Sequence, residues 1–124
     1  MPMTNRDAAE QKLLQALGLC VKARALVMGV PMVCEALQKQ AKPHLVLEAA
    51  DTSAATHKKI CDKCNFYGVH HLRLPVTGER LASALGKTSS LAAVAITNDQ
   101  LLRVVQGAWN ALEAANAPSD DVGR

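Results

Sequence analysis

The chain is expected to fold as an α/β domain, a three-layer α-β-α sandwich in which a four-stranded mixed sheet carries helices on both faces. Three observations predict this. Short apolar runs of strand length alternate with segments whose apolar residues recur at three- and four-residue steps, in the order α-β-α-β-α-β-α-β-α. Two runs, Leu45–Ala50 and Leu91–Ile96, are almost continuously apolar, as central strands covered on both faces are. The chain has 124 residues, 49% of them hydrophobic, which is enough for one core without disulfide or metal staples.

The elements follow in order. Ala9, Leu13, Leu17, Cys20 and Val21 line one face of a first helix over about Asn5–Arg24, capped by Thr4 or Asn5. Gly18, unusual inside a helix, suggests close approach of another backbone. Ala25–Met28 is a short strand that stops at Gly29. Pro31 suits the first turn of a second helix, where its missing N–H costs nothing. Met32, Val33, Ala36 and Leu37 supply that helix's apolar positions, and it ends near Gln40, before Pro43. After the Leu45–Ala50 strand, Asp51-Thr52-Ser53 is a helix-start cluster. The third helix spans about Ala54–Tyr67, with Ile60, Cys64 and Tyr67 inward and Gly68 closing it. His70–Leu74 alternates and reads as an edge strand. Thr77 caps a short helix that Gly86 ends. Asn98 opens the last helix, with Leu101, Val105, Ala108, Trp109 and Leu112 on one face. Residues 1–116 are read as a single domain, and the polar stretch 117–124 as a flexible tail.

Composition excludes several functions. No apolar run reaches the length of a membrane span, and no basic start leads into an apolar signal stretch. The four cysteines are therefore expected as reduced thiols in a cytoplasmic protein. The only aromatic residues are one Phe, one Tyr and one Trp, which argues against base stacking on an aromatic platform. The net charge is +3. Residues 1–87 hold 12 basic and 7 acidic side chains, so a polyanion site belongs in the first two-thirds.

Cys61-Asp62-Lys63-Cys64 has the spacing of a redox pair, but it lies in the second half of a helix, where the dipole opposes a thiolate. A metal centre would draw on His57, Cys61 and Cys64, of which only some could converge from one helix, with His70 or His71 adding a ligand. The favoured reading is structural thiols, with no metal and no cofactor. No phosphate-binding loop, nucleophile elbow or catalytic triad is present, so no enzyme is expected. Lys58, Lys59 and Lys63 read as a solvated helix face. Lys22 and Arg24 sit where cations favour a helix C-terminus. Gly29-Val30-Pro31 opens the second helix, whose free N–H groups suit phosphate. Gly86-Lys87-Thr88-Ser89-Ser90 is small, polar and basic.

Leu17-Gly18-Leu19-Cys20-Val21-Lys22-Ala23-Arg24, followed by Val27-Met28-Gly29, resembles the opening of the kink-turn RNA-binding ribosomal-protein family. Leu45–Asp51, Thr56–Val69, Leu85-Gly86-Lys87 and Ala92–Asn98 are similar to further segments of its small bacterial members, in the same order. The resemblance spans roughly Leu13–Leu102. It implies the same fold, and a non-enzymatic protein binding structured, kink-turn-like RNA such as rRNA, with ribosome association. It places the start of the second helix in the RNA groove and the loop before the last strand over extruded bases. In this chain those are Gly29, Val30, Pro31, Met32 and Glu35, and Gly86, Lys87, Thr88, Ser89 and Ser90, with Lys22 and Arg24 on phosphates nearby. Where kink-turn binders carry asparagine, glutamate and lysine, this chain has Pro31, Met32 and Glu35. Pro31 and Met32 cannot supply the base-edge hydrogen bonds, and Glu35 facing phosphate costs about 1 kcal/mol or more. The alternative is a protein-interaction module that kept the fold and lost that RNA, with Val30, Pro31 and Met32 as its apolar patch.

Overall fold

The computed structural model describes residues 4–116. The expected tail, 117–124, lies outside the described residues. Five helices and four strands follow in the expected order: α1 (Asn5–Lys22), β1 (Leu26–Met28), α2 (Val30–Gln38), β2 (Leu45–Glu48), α3 (Ala54–Tyr67), β3 (His70–Arg73), α4 (Gly78–Ala84), β4 (Ala93–Ile96) and α5 (Asp99–Asn116). The sheet order is β1-β4-β2-β3. β4 runs antiparallel to both β1 and β2, while β2 and β3 are parallel, so the sheet is mixed.

The caps explain the boundaries. The Thr4 hydroxyl accepts from the Asp7 amide at 3.0 Å, and the Asp7 carboxylate accepts from the Thr4 amide at 3.4 Å, forming a capping box. Ser53, Thr77 and Asn98 cap α3, α4 and α5 through the amides of Thr56, Arg80 and Leu101. Gly68 and Gly86 adopt left-handed conformations at φ 70° and 77° and stop the helices before them. The first helix ends at Lys22 rather than Arg24. Arg24 turns into the left-handed region at φ 56°, and amide bonds from Arg24 to the Val21 carbonyl and from Ala25 to the Cys20 carbonyl close a Schellman turn.

Strand alternation divides the core in two. Leu45, Leu47, Val94 and Ile96 face α1, α4 and α5, meeting Leu13, Leu17, Leu81, Val105 and Leu112. Val46, Ala93 and Ala95 face α2 and α3, meeting Val33, Leu37, Ile60 and Cys64. β2 and β4 are wholly buried, and β1 and β3 are the edges. Two expectations fail. Met32 is 53% exposed, because α2 buries Val33, Cys34, Ala36 and Leu37 instead. Gly18 meets no close backbone, since a Cβ added there has nothing within 4 Å. It borders an open groove with Leu19, Lys22, Val104 and Gly107.

Candidate nucleic-acid interface

Register brings one set of loops to one end of the sheet. Met28 lies opposite Val94, Glu48 opposite Ala93, and Glu48 opposite Arg73. β1, β2 and β3 therefore all finish where β4 begins. Backbone bonds tie the segments leaving this end into a rim. The Gly29 amide donates to the Ala93 carbonyl, the Ala49 amide to Ala92 and the Ala50 amide to Val76, each at 2.8 Å. The Gly78 amide donates to Asp51 Oδ1 at 2.8 Å, and the Leu91 amide to the Gly78 carbonyl at 3.0 Å.

α2 starts on this rim. Gly29 is its N-cap, at φ 92° and ψ 147°, and has no side chain to cap the first amides. No acidic residue lies in the first turn. The helix therefore presents free N–H groups and the positive end of its dipole, although Pro31 removes one donor. Val33, Cys34, Ala36 and Leu37 anchor the inner side, so Pro31, Met32 and Glu35 point outward and are exposed, with Val30 half-buried. The second segment, Gly86 through Ser90, is exposed throughout. Its start is held by the Lys87 amide on the Ala82 carbonyl at 2.8 Å, and its far end by Leu91 on Gly78. The structure thus brings Gly29 to the strand that the Gly86–Ser90 loop enters.

Lys22 and Arg24 are placed differently. Leu26 lies opposite Ile96, and the Thr97 amide donates to the Ala25 carbonyl at 2.9 Å, so both cations sit at the other end of β1. Three strand residues rise about 10 Å, which separates these exposed cations from the rim by that order. On α3, Lys58 pairs with Asp62 at 2.6 Å, and this hydrogen bond with its attendant attraction raises the lysine pKa. Lys58 and Lys59 are exposed, as the sequence indicates, whereas Lys63 is half-buried.

Sequence reasoning missed Glu48. It lies inside an apolar strand run yet is wholly buried, facing α3. A buried carboxylate needs partners. His57 Nδ1 lies 2.7 Å from both of its oxygens, and Arg73 Nε 3.9 Å from one. The signal available in the sequence was the lone charge within Leu45–Ala50. The two cysteines of Cys61-Asp62-Lys63-Cys64 part company. Cys64 is fully buried in the core, and burial first, then the charges of Cys61, Cys34 and Glu48, push its thiol up to about 11. That fits a structural thiol. Cys61 is half-buried beside His57 and His71. Desolvation first, then Glu48 and Asp62, raise its pKa, and Arg73 opposes them.

Among the described residues, no helix is long and apolar enough to cross a membrane. Comparison with known proteins agrees with the architecture. Residues 11–105 match the Ribosomal protein L7Ae/L30e/S12e/Gadd45 family. The RNA-binding protein YlxQ of Bacillus subtilis (strain 168) is 35% identical over 82 residues, which are 66% of this chain and 79% of that protein. The solved structure of a protein with unknown function from Bacillus halodurans C superposes with a TM-score of 0.71 at 27% identity, covering 80% of this chain and 97% of the other. The Giardia lamblia 15.5kD RNA binding protein shares the fold, with a TM-score of 0.65 at 21% identity over 93% of this chain and 95% of its own. A family match over this span, joined to a mixed sheet whose loops gather at one end, shows that the chain belongs to the L7Ae/L30e/S12e/Gadd45 family of ribosomal-type proteins.

Proposed function

We propose that this chain is an RNA-binding protein without enzymatic activity, and that it holds structured, kink-turn-like RNA against the rim where α2 begins. One observation carries the reading. The 2.8 Å bond from the Gly29 amide to the Ala93 carbonyl ties an uncapped helix N-terminus to the strand fed by the exposed, basic loop Gly86–Ser90. Helix N-termini favour phosphate oxygens. Lys87 adds a cation, and Thr88, Ser89 and Ser90 add hydroxyl donors. Family membership and the RNA-binding descriptions of YlxQ and the 15.5kD protein support RNA as the partner. Cytoplasmic residence beside the ribosome is part of the same proposal.

Recognition runs through backbone groups and the loop rather than through side-chain readout by α2. Pro31 and Met32 offer no base-edge donors or acceptors, and Glu35 repels phosphate. Lys22 and Arg24, one strand length away, serve a phosphate further along the same RNA. Fluorescence anisotropy of a kink-turn hairpin and of a plain duplex, each at two salt concentrations, tests this. Preferential binding of the kinked RNA is expected, with Lys87→Ala reducing affinity and shallowing the salt slope by about one unit. Equal affinity for the duplex overturns the kink-turn reading, and binding of neither RNA overturns the RNA reading.

The 53% exposure of Met32 beside Val30 and Pro31 favours a second reading, docking of a protein on that apolar patch. A stable protein complex that survives nuclease treatment and is lost in Met32→Lys would support it.

A further inference from the structure

Glu48 on β2 meets His57 and Cys61 on α3 behind the rim, and His71 on β3 contacts Cys61. Val46 is opposite His71 and Glu48 opposite Arg73, so these side chains of β2 and β3 share the face that α3 covers. His57 and Cys61 are one helical turn apart on α3, and Cys61 Sγ lies 3.5 Å from His57 Nε2 and 3.8 Å from Nδ1. His71 Nε2 approaches the same sulfur from the strand at 3.2 Å. Glu48, His57 and Cys61 each offer a ligand atom within 4.8 Å of the others.

Glu48 alone does not explain this convergence. Its buried charge is already met by His57 at 2.7 Å and by Arg73 at 3.9 Å. Cys61 and His71 make no hydrogen bond to that carboxylate among the described residues, yet Cys61 brings its sulfur within 4.8 Å of the Glu48 and His57 ligand atoms and His71 contacts that sulfur. Thiolate, imidazole and carboxylate together are the donor set of zinc-like cations, whereas magnesium and calcium take oxygen ligands. Zinc bonds of about 2.0–2.3 Å put tetrahedral ligand atoms about 3.4–3.6 Å apart. The sulfur lies 3.2 Å from His71 Nε2 and 3.8 Å from His57 Nδ1, the ring nitrogen that faces Glu48, and these two spacings bracket this range. Seating an ion requires the Glu48–His57 contact to open by about 0.7 Å. The His57 side chain is 40% exposed, which leaves a path from solvent.

We propose that Glu48, His57 and Cys61, joined by His71, form a binding site for one zinc-class divalent cation. Binding forms a metal–sulfur bond and releases the Cys61 thiol proton to solvent, while the imidazole hydrogen of His57 sits on Nε2 so that the Nδ1 lone pair faces the ion. The two ligand charges of Cys61 and Glu48 then balance the ion. The ion would pin the start of α3 to β2 and β3, just beneath the 49–51 segment of the rim. Cys64, buried in the core, takes no part.

The test uses the full chain, reduced and stripped with chelator, titrated with Zn²⁺ by calorimetry and with Co²⁺ by absorbance. One equivalent of each ion is expected, with a thiolate-to-cobalt charge-transfer band. Cys61→Ser should abolish that band, and His71→Ala should weaken zinc binding by at least about 10-fold. Cys64→Ser and His70→Ala should leave both readouts intact, and circular dichroism of each variant confirms its fold. Absence of stoichiometric uptake by the unaltered chain overturns the proposal. So does uptake without a thiolate band, or a band that survives Cys61→Ser and is lost in Cys64→Ser. None of these readouts depends on RNA.

Discussion

Arg24 holds a backbone conformation that glycine adopts more readily. Its φ of 56° closes the Schellman turn after α1, and a left-handed non-glycine residue costs about 1–2 kcal/mol. Replacing it with glycine relieves that cost but adds about 0.4–1 kcal/mol of unfolded-state entropy. Arg24→Gly is therefore expected to stabilise the fold by about 0.5–1 kcal/mol. Urea unfolding measures this, and a loss of stability would mean that the arginine side chain contributes more than its strain costs. A cation and a turn position coincide here, so the basic end of the helix was legible in the sequence while its last residue was not. Cys64 bears on pH. Its thiol ionises near 9.0 when unfolded and near 11 when folded, because burial disfavours the thiolate. Above pH 9 the unfolded chain loses this proton while the folded chain keeps it. Stability should hold below pH 9 and fall as pH rises toward 11. Urea midpoints at pH 8 and pH 10 should differ less in Cys64→Ala than in the parent. An unchanged difference would assign the effect to other groups.

At the scale of elements, α4 and the loop before β4 meet at Gly78. A Cβ there would stand 2.4 Å from Ser90 Oγ and 2.7 Å from the Leu91 carbonyl oxygen. The serine can rotate away, but the Leu91 backbone cannot, because its amide donates to the Gly78 carbonyl. Gly78→Ala is expected to cost about 1–3 kcal/mol by overpacking and to shift the Gly86–Ser90 loop. Weaker RNA binding without any lost contact residue would follow, read by thermal melting together with anisotropy. Full stability with full binding would show that the loop yields freely. The sequence marks this glycine only as a residue after a helix cap. Its necessity comes from Leu91, thirteen positions away, which no local pattern reveals. Gly18 is the converse: its position in the helix suggested a close neighbour, and the α1 surface leaves it open.

Across the whole molecule, charge decides how well a polyanion is held. The chain is only mildly basic, at +3, and its rim carries Glu35 on the outer face of α2. With RNA held on the rim as proposed, Glu35→Lys replaces repulsion with attraction toward phosphate. It should strengthen kink-turn RNA binding by about 10-fold or more at low salt and steepen the salt dependence by about one to two units. Anisotropy across a salt series measures both. No change in either would place Glu35 outside the RNA contact and would move the interface along the rim toward Lys87.

Much of the fold was legible because its cues are local. Period-three and period-four apolar steps mark helices, continuous apolar runs mark β2 and β4, and Ser53, Thr77, Asn98, Gly68 and Gly86 mark ends through their own hydrogen bonds or φ angles. The rim segments Gly29–Glu35 and Gly86–Ser90 were also legible, one as a helix start and the other as a polar basic loop. Only the tertiary structure decided that these two share one end of the sheet and that Lys22 and Arg24 stand at the other. Strand direction and register set that arrangement, and neither is encoded in a single segment. The same holds for Glu48. Sequence by itself determined that a charge sits in a central strand, but its burial against His57, with Cys61 and His71 alongside, required parallel pairing of β2 with β3 beneath α3. Side-chain chemistry is local, whereas the company a side chain keeps depends on contacts that close only when the sheet forms.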